Sequence, residues 1–362
     1  MRKSIKRITG IAMGLLMCFV LSACQTGPAK EPATEAATGT AADRQEEYEA
    51  RFLKEAGLVN IAEDTVTFTD VSSRGELTID KYPKKVVNLY ASLTTLWYEA
   101  GGTAAGCIGG ASAKELYEEY IGRNVAEDDG MTVISDSSVA KKWDIEQIIA
   151  MQPDLIICST AKGGYETISG PAEAAGIPVI AVDYDDFSDY LKWFRVFCAL
   201  NGREDLWESV AMKTYEEVSG VLDEIPDEGA PSVFCMYAGT ETLQADTQET
   251  MVGGMIADLG GVNIVESGKG EDRITINLET VYASDPDVIL VEGHDSEDIS
   301  VMIEAQYGNN PVWKSLDAVS EGRLYYLEKE LFHNKPNRRF AEAYRSLAQI
   351  LYPDCEFTLP EE

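Results

Sequence analysis

The chain has 362 residues, of which 62 are Asp or Glu and 30 are Lys or Arg, so its formal net charge is −32 at pH 7. An acidic excess of this size repels the phosphates of nucleic acid and the headgroups of anionic lipids, which argues against both as partners. The roughly 320 residues that follow position 42 suit two lobes of ordinary domain size.

The first 24 residues have the parts of an export signal. A basic segment at residues 2–7 precedes an apolar run at residues 11–21, which is too short for a comfortable membrane span. Leu21-Ser22-Ala23-Cys24 resembles the lipobox of bacterial lipoproteins. The resemblance implies that residues 1–23 are removed and that Cys24 is acylated, for example with palmitate. An ordinary secretory signal with an incidental Cys is the alternative.

Removal of residues 1–23, which hold four basic and no acidic residues, would leave a net charge of −36. Residues 24–42 are rich in Ala, Thr, Pro, Gly and Glu, a composition typical of a flexible tether. A short amphipathic helix is then predicted at residues 43–56, and a β-hairpin at residues 65–69 and 76–80.

Two helical patterns follow one another in the middle of the chain. The first covers about residues 187–200, and the second residues 203–226, with Asn201-Gly202 between them as a predicted left-handed cap and Pro226 as a stop. We expect the second helix to connect an N-terminal lobe at residues 43–202 to a C-terminal lobe at residues 227–362.

The two predicted lobes contain a repeat. When Asp154 is aligned with Asp287, the helix pattern at residues 144–148 matches residues 277–281, and the apolar strand at residues 153–157 matches residues 286–290. Helix, Pro-Asp turn and strand agree in register, so the fold is predicted to be α/β, with two similar βα lobes and a ligand cleft between them.

Side chains at the carboxyl ends of the predicted strands are the candidates for ligand binding, because ligands of open α/β sheets bind there. Ser92 is also predicted to cap the following helix at residues 93–100. The candidates at the strand ends are Tyr90, Ser92, Gly110, Ser159, Tyr184, Tyr237 and His294.

A cationic segment precedes the last predicted helix and adds His333, Lys335, Arg338 and Arg339 to the candidates. Cations at a helix N-terminus oppose the helix dipole, which suggests that they serve an anionic ligand group. The alternative is that they pair with some of the surplus acids. His294 and His333, the only histidines, either contact a metal centre in the ligand or are solvated loop residues.

The composition argues against a metal site and against a disulfide framework. Cys18 and Cys24 belong to the signal, and the five other cysteines are an odd number without C-x-x-C spacing, which argues against a disulfide framework and a zinc site. Cys158 and Cys235 lie in apolar strands and Cys198 in a helix, so these three are predicted to be buried free thiols. Two histidines are too few for a bare zinc or manganese site. Ser138-Val139-Ala140-Lys141 matches the S-x-x-K motif of penicillin-binding proteins, but no K-T-G or S-D-N follows, so an exported enzyme is not favoured.

A series of short segments occurs in the order Phe68-Thr69-Asp70, Pro83-Lys84-Lys85-Val86-Val87-Asn88-Leu89, Ser92-Leu93-Thr94, Pro153-Asp154-Leu155-Ile156-Ile157, Gly176-Ile177-Pro178-Val179, Gly260-Gly261-Val262-Asn263-Ile264, Ala318-Val319 and Gly322-Arg323-Leu324-Tyr325. This series resembles the class III substrate-binding proteins of ABC importers, which take up iron-siderophores, haem and vitamin B12. Two positions depart from the family pattern. Thr95 stands where the family often has Glu, and Val262 stands where some members have Glu.

The resemblance implies a bilobal fold with one long connecting helix and delivery of the ligand to an ABC permease with its ATPase. It implies a monomer that is lipid-anchored on the extracytoplasmic face of the cell membrane, with a transported ferric siderophore and no resident cofactor or metal. Haem or a corrinoid is the alternative ligand. One acidic residue in each lobe would dock the permease, with Glu119 and Glu266 as the candidates.

Overall fold

A computed structural model describes residues 41–72, 75–160, 163–227, 229–239, 242–265, 270–294 and 296–358, which belong to one compact unit. The predicted signal, Cys24 and Glu266 lie outside the described residues, as does the predicted tether up to residue 40. Within the described ranges, no helix has the length and apolar character needed to cross a membrane. The predicted lobe boundaries at residues 202/203 and 226/227 stay predictions.

The described chain begins with two helices and a small antiparallel sheet. The sheet confirms the predicted hairpin, and Val66 and Phe68 point into the core while Thr67 and Thr78 form a hydrogen bond (2.9 Å) on the outer face. The helix predicted at residues 43–56 is divided in two. The elements are α1 (Ala41–Phe52), α2 (Lys54–Gly57), β1 (Asn60–Ile61), β2 (Thr65–Thr69) and β3 (Glu76–Asp80).

A five-stranded sheet forms the N-terminal lobe, with all neighbouring strands parallel. Strands covered on both faces are expected to be continuous apolar runs, and the residues of the strand at 179–182 are all buried. The sheet order is β6-β5-β4-β7-β8, and its strands are β4 (Val86–Asn88), β5 (Gly106–Ile108), β6 (Thr132–Ser135), β7 (Leu155–Ser159) and β8 (Val179–Val182). Its helices are α3 (Ala91–Glu99), α4 (Ala111–Ile121), α5 (Val125–Asp128), α6 (Ile145–Ala150) and α7 (Gly164–Ala174).

The middle of the chain has the two predicted helices, and Gly202 separates them with φ 64°, which confirms the left-handed cap. The second helix ends at Asp223, three residues before Pro226, and it contains a π-helical segment. Ser209 and Thr214 donate hydroxyl hydrogen bonds to carbonyls four residues earlier, an interaction that often bends helices. The elements are α8 (Phe187–Asn201), α9 (Glu204–Leu206), the π-helical turn (Trp207–Met212) and α10 (Lys213–Asp223).

The C-terminal lobe has a mixed sheet, whose strand order is β12-β10-β9-β13-β14, with β11 also paired to β9. Its antiparallel strands were not predicted. The strands are β9 (Ser232–Ala238), β10 (Leu243–Asp246), β11 (Val262–Asn263), β12 (Arg273–Thr275), β13 (Val288–Gly293) and β14 (Leu324–Tyr326). The helices are α11 (Met251–Asp258), α12 (Leu278–Ser284), α13 (Ser296–Tyr307), α14 (Pro311–Lys314), α15 (Asp317–Ser320), α16 (Lys329–Phe332) and α17 (Phe340–Leu351).

The structure confirms the predicted repeat and shows what the Pro-Asp turn does. Asp154 Oδ2 accepts hydrogen bonds from the backbone N–H groups of Lys84 (2.8 Å) and Lys85 (2.9 Å), just before β4. In the other lobe, Asp287 Oδ2 accepts from the N–H of Ser232 (2.7 Å), at the start of β9. In each copy, the turn carboxylate therefore fixes the start of the neighbouring central strand.

One apolar core extends from the N-terminal hairpin across the connecting helix to α11 and α17. Phe187 of α8 packs against Phe340 of α17, with ring centroids 5.0 Å apart. The buried face of the connecting helix includes Trp207, Val218 and Leu222. The cysteines predicted to be buried free thiols, Cys158, Cys198 and Cys235, are buried and form no disulfide within the described residues.

Candidate ligand-binding cleft

The carboxyl ends of strands from both lobes meet at a cleft of about 570 Å³. Tyr90 and Asp183 follow β4 and β8 on one wall, while Tyr237 and Glu292 lie near the ends of β9 and β13 on the other. Backbone hydrogen bonding in a parallel sheet brings such ends to one edge, which explains why the strand-end rule located this cleft.

Seven of the candidate residues lie along this one cleft: Tyr90, Ser92, Ser159, Tyr184, Tyr237, His333 and Lys335. Tyr184 is buried, and its hydroxyl donates a hydrogen bond to Asn337 Oδ1 (3.0 Å), so that its polar end is already engaged. The structure thus brings these side chains together, and their contact with a ligand stays a prediction.

Gly110 and His294 are not among the residues that line the cleft. Gly110 is exposed before α4 with φ 88°, and an added Cβ would lie 2.9 Å from the carbonyl oxygen of Asp136, so the turn geometry explains this glycine. His294 is exposed, and its ring centroid lies 4.2 Å from that of His333, which does line the cleft.

Arg338 and Arg339 also lie away from the cleft wall, although they were expected to form an anion site with Lys335. Arg338 Nη1 pairs with Glu99 Oε1 (2.8 Å). Arg339 pairs with Glu342 Oε2 (2.7 Å) and with Glu119 Oε1 (2.7 Å). These contacts favour the alternative in which the two arginines serve neighbouring acidic side chains, and a role of Arg338 and Arg339 in ligand binding stays a prediction.

The predicted role of Ser92 as a helix cap is wrong. α3 begins at Ala91, two residues earlier than predicted, with Tyr90 as its N-cap residue and no side-chain cap hydrogen bond. Ser92 is buried in the first turn of the helix. Because the extended chain bends into the helix immediately after Tyr90, Ser92 faces the cleft from inside the helix.

Arg273, which the sequence analysis missed, is the central cation of the C-terminal wall. Its Nε donates to Asp246 Oδ1 (2.8 Å), and its Nη2 donates to Glu292 Oε1 (2.7 Å). The guanidinium carbon also lies 4.0 Å from the ring centroid of Tyr237. Arg273 is on β12, an antiparallel strand that the repeat gave no reason to expect. The only hint in the sequence is that Arg273 lies in a short segment of alternating polar and apolar residues, which is a weak indication of a strand.

The described lining of the cleft carries more negative than positive charge. Its cations are Arg273 and Lys335, and its carboxylates are Asp183, Asp185, Glu249, Asp272 and Glu292. Burial and the neighbouring Asp185 raise the pKa of Asp183. Burial and the nearby Glu292 raise the pKa of Asp246 to about 7, against the opposing effect of Arg273. Burial is the larger cause of both pKa shifts, and the neighbouring carboxylates add to it.

Aromatic rings also contribute to the C-terminal wall. The rings of Tyr237 and His333 are nearly parallel, with centroids 6.0 Å apart, and His294 continues the row beyond His333. In the described part of the chain, no group of three or more His, Cys, Asp or Glu side chains is placed to hold a metal ion. A ligand in the cleft would meet the flat aromatic rings of Tyr237 and His333 and the carboxylates of the lining.

The candidate docking residue Glu119 lies on α4, and its carboxylate is about half exposed where it pairs with Arg339. An exposed ion pair of this kind is worth little and can exchange for a partner's arginine. Glu266, the candidate in the other lobe, lies outside the described residues. The docking role of both stays a prediction.

Comparisons with known proteins identify relatives in bacterial transport. Residues 87–331 match the family model described as periplasmic binding protein. A putative ABC transporter substrate-binding lipoprotein, YhfQ of Bacillus subtilis, is 23% identical over 268 residues, which cover 71% of this chain and 80% of the relative. The Fe(3+)-citrate-binding protein YfmC of the same organism is 23% identical over 258 residues, covering 71% and 76%.

The fold is shared with solved structures. The crystal structure of IsdE from S. aureus complexed with haem has a TM-score of 0.61 at 17% identity, and the match covers 74% of this chain and 98% of that one. At this identity, the likeness shows the fold alone. The family model covers more than half of the chain. The chain therefore belongs to the periplasmic binding protein family, and it is a substrate-binding protein and not an enzyme.

Proposed function

We propose that the chain is the substrate-binding lipoprotein of an ABC importer, which captures an iron chelate outside the cell and delivers it to the permease and its ATPase. The observation that carries this proposal is the cleft at the strand ends of two lobes, lined by tyrosines, a histidine and carboxylates. Its volume of about 570 Å³ suits a small chelate. The name of YfmC, a relative that binds Fe(3+)-citrate, supports iron as the transported metal.

Haem or a corrinoid is the second candidate ligand. The nearly parallel rings of Tyr237 and His333, with His294 beside them, favour it because a flat macrocycle can stack on such a surface. The structural likeness to IsdE complexed with haem is a likeness of fold alone. The choice between an iron chelate and a haem or corrinoid ligand therefore depends on the side chains of this chain.

Anchoring through Cys24 is part of the proposal, with a monomeric chain held at the extracytoplasmic face of the membrane by its lipid alone. The lipobox sequence and the names of relatives described as substrate-binding lipoproteins support it. A Cys24→Ala variant would then be released from the membrane fraction of its native host. If the variant stayed in the membrane fraction like the wild type, the anchor would be of another kind.

Purification of the protein from its native host, followed by metal analysis and a visible absorption spectrum, tests the ligand class. We expect iron at one equivalent per chain with a ligand-to-metal band of a ferric chelate. A Soret band would indicate haem, and cobalt with corrinoid bands would indicate the other alternative. Zinc or manganese without any chromophore would contradict the proposed function.

A further inference from the structure

Glu292 is a buried carboxylate whose hydrogen bonding is incomplete at the cleft wall. It is 2% exposed, and its Oε1 accepts a hydrogen bond from Arg273 Nη2 (2.7 Å). Its Oε2 has no hydrogen-bond partner in the ranges of the chain that the structure describes, although His333 Nδ1 lies 3.5 Å away. A buried carboxylate oxygen without a donor is costly, so this atom is suited to receive a donor from a ligand. The atom is itself covered, so the ligand donor reaches it only when a neighbouring side chain such as His333 moves aside.

Arg273 and Lys335, the Arg and Lys side chains of the described cleft lining, already have acidic partners. Arg273 is held between Asp246 and Glu292, and Lys335 Nζ pairs with Asp185 Oδ1 (3.1 Å). An anionic ligand would have to break one of these ion pairs before either cation could bind it.

Other carboxylates of the cleft have no such partner. For Asp183, Glu249 and Asp272, no Lys or Arg nitrogen of the described residues is within ion-pair distance. They lie on walls from both lobes, and the chain as a whole is strongly acidic. A long-range field of this sign attracts cations to the cleft and repels polyanions.

We propose that the transported ligand is a ferric chelate of net positive charge, whose protonated amine is received by Glu292 Oε2 and the carboxylates around it. This inference rests on the proposed function and specifies the ligand class of the same cleft. It separates this chain from a binding protein for ferric citrate or a tricatecholate, since both of those complexes carry negative charge.

A titration calorimetry series with ferric chelates of different charge tests the inference. The probes are a linear trihydroxamate complex with a free ammonium group, a neutral cyclic trihydroxamate complex, ferric citrate and a ferric tricatecholate. We expect the cationic complex to bind most tightly and the anionic ones most weakly. Added salt is expected to weaken the cationic complex more than the neutral one, because it screens the attraction.

Glu292→Gln keeps the shape of the side chain and removes its charge. The variant is expected to lose roughly tenfold to a hundredfold in affinity for the cationic complex, as for a lost charged hydrogen bond, and little for the neutral complex. Glu146→Gln, an exposed change on α6 outside the cleft, is the matched control and is expected to bind like the wild type. If Glu292→Gln does not fold, Asp183→Asn at the cleft surface is expected to show the same selective loss to a smaller extent.

Tightest binding of ferric citrate or the tricatecholate would overturn the inference and leave the proposed function intact. An unchanged charge preference in both Glu292→Gln and Asp183→Asn would also overturn it. If the protein bound none of the ferric chelates, the proposed function itself would fail, and the inference with it.

Discussion

Residues 328–339, which we call the bridging segment, meet two different surroundings. Its first part carries His333 and Lys335 into the cleft, where Glu292 keeps an unpartnered oxygen. Its second part carries Asn337, Arg338 and Arg339 onto the helices of the N-terminal lobe. The two parts are adjacent in sequence, yet the first lines the cleft and the second packs on helices of the N-terminal lobe.

In the second part, the polar groups have partners. Asn337 is fully buried, its Nδ2 donates to Thr95 Oγ1 (3.1 Å), and its Oδ1 accepts from the hydroxyl of Tyr184. Arg338 and Arg339 have the ion pairs described above. The second part is therefore an interlobe contact, whereas the first part lines the cleft beside Glu292. Within the described residues, the Oε2 atoms of Glu292 and of Glu99, the partner of Arg338, both lack a hydrogen-bond partner.

Arg273→Ala tests whether the cleft wall depends on its central cation. The change leaves Asp246 and Glu292 buried without a cation, which is expected to lower the free energy of unfolding by roughly 3–5 kcal/mol in urea denaturation. The control is Arg323→Ala, because Arg323 pairs with the exposed Glu321 and is expected to contribute less than about 1 kcal/mol. Equal losses in the two variants would contradict this account.

Asn337→Ala tests the interlobe contact. It removes two buried hydrogen bonds and places Ala at φ 50°, so we expect a loss of roughly 2–4 kcal/mol in the same denaturation assay. Asn337→Gly tolerates the positive φ, so it is expected to lose less than Asn337→Ala. The control is Asn334→Ala, which changes a half-exposed residue of the cleft. If this variant lost as much unfolding free energy as Asn337→Ala, the two parts of the bridging segment would not differ in their contribution to stability.

Glu99, the partner of Arg338, makes the interlobe contact sensitive to pH. Burial raises its pKa to about 8, against the opposing effect of Arg338. Since the folded protein holds a proton that the unfolded chain releases near pH 4.5, folding stability falls as the pH rises from there to the folded pKa. Relative to Glu99→Gln, the wild type is expected to lose roughly 1–3 kcal/mol between about pH 5 and about pH 8. A difference that did not vary with pH in thermal or urea unfolding would show that Glu99 is ionised throughout.

Lys335 is expected to weaken the affinity of the cleft for a cationic ligand slightly. Lys335→Met removes a cation from the cleft, so the affinity for a cationic ferric complex is expected to rise about two- to fivefold, as for a weak charge interaction. Arg338→Met, in the same segment but outside the cleft, is expected to leave the affinity unchanged. A loss of affinity in Lys335→Met, or an equal change in both variants, would contradict this expectation. Lys335 would then be better explained as a residue that binds an anionic group of the ligand.

Local patterns were sufficient to predict much of the fold. Pro153-Asp154 and Pro286-Asp287 each end a helix and start a buried strand, so the repeat and the strand ends could be inferred from local sequence. The left-handed conformation of Gly202 was predictable for the same reason. These features depend on residues that are neighbours in the chain.

The pairing of charges could not be predicted in this way. Arg338 and Glu99 are 239 residues apart, and Arg273 meets Asp246 and Glu292 only because β12 folds back beside β10. A cation in the sequence looks the same whether it is free or already paired, which is why Arg338 and Arg339 were assigned to the ligand and Arg273 was overlooked.

The cleft is expected to bind one iron chelate per chain. Trp193 is a buried reporter behind the cleft wall, because its indole N–H donates to the carbonyl oxygen of Asp183 (2.6 Å), a residue that lines the cleft. In a fluorescence titration with a cationic ferric trihydroxamate, we expect saturable quenching at one complex per chain, with most of the signal lost in Trp193→Phe. Unsaturable quenching by every ferric chelate, together with tight binding of free zinc or manganese, would contradict the claim.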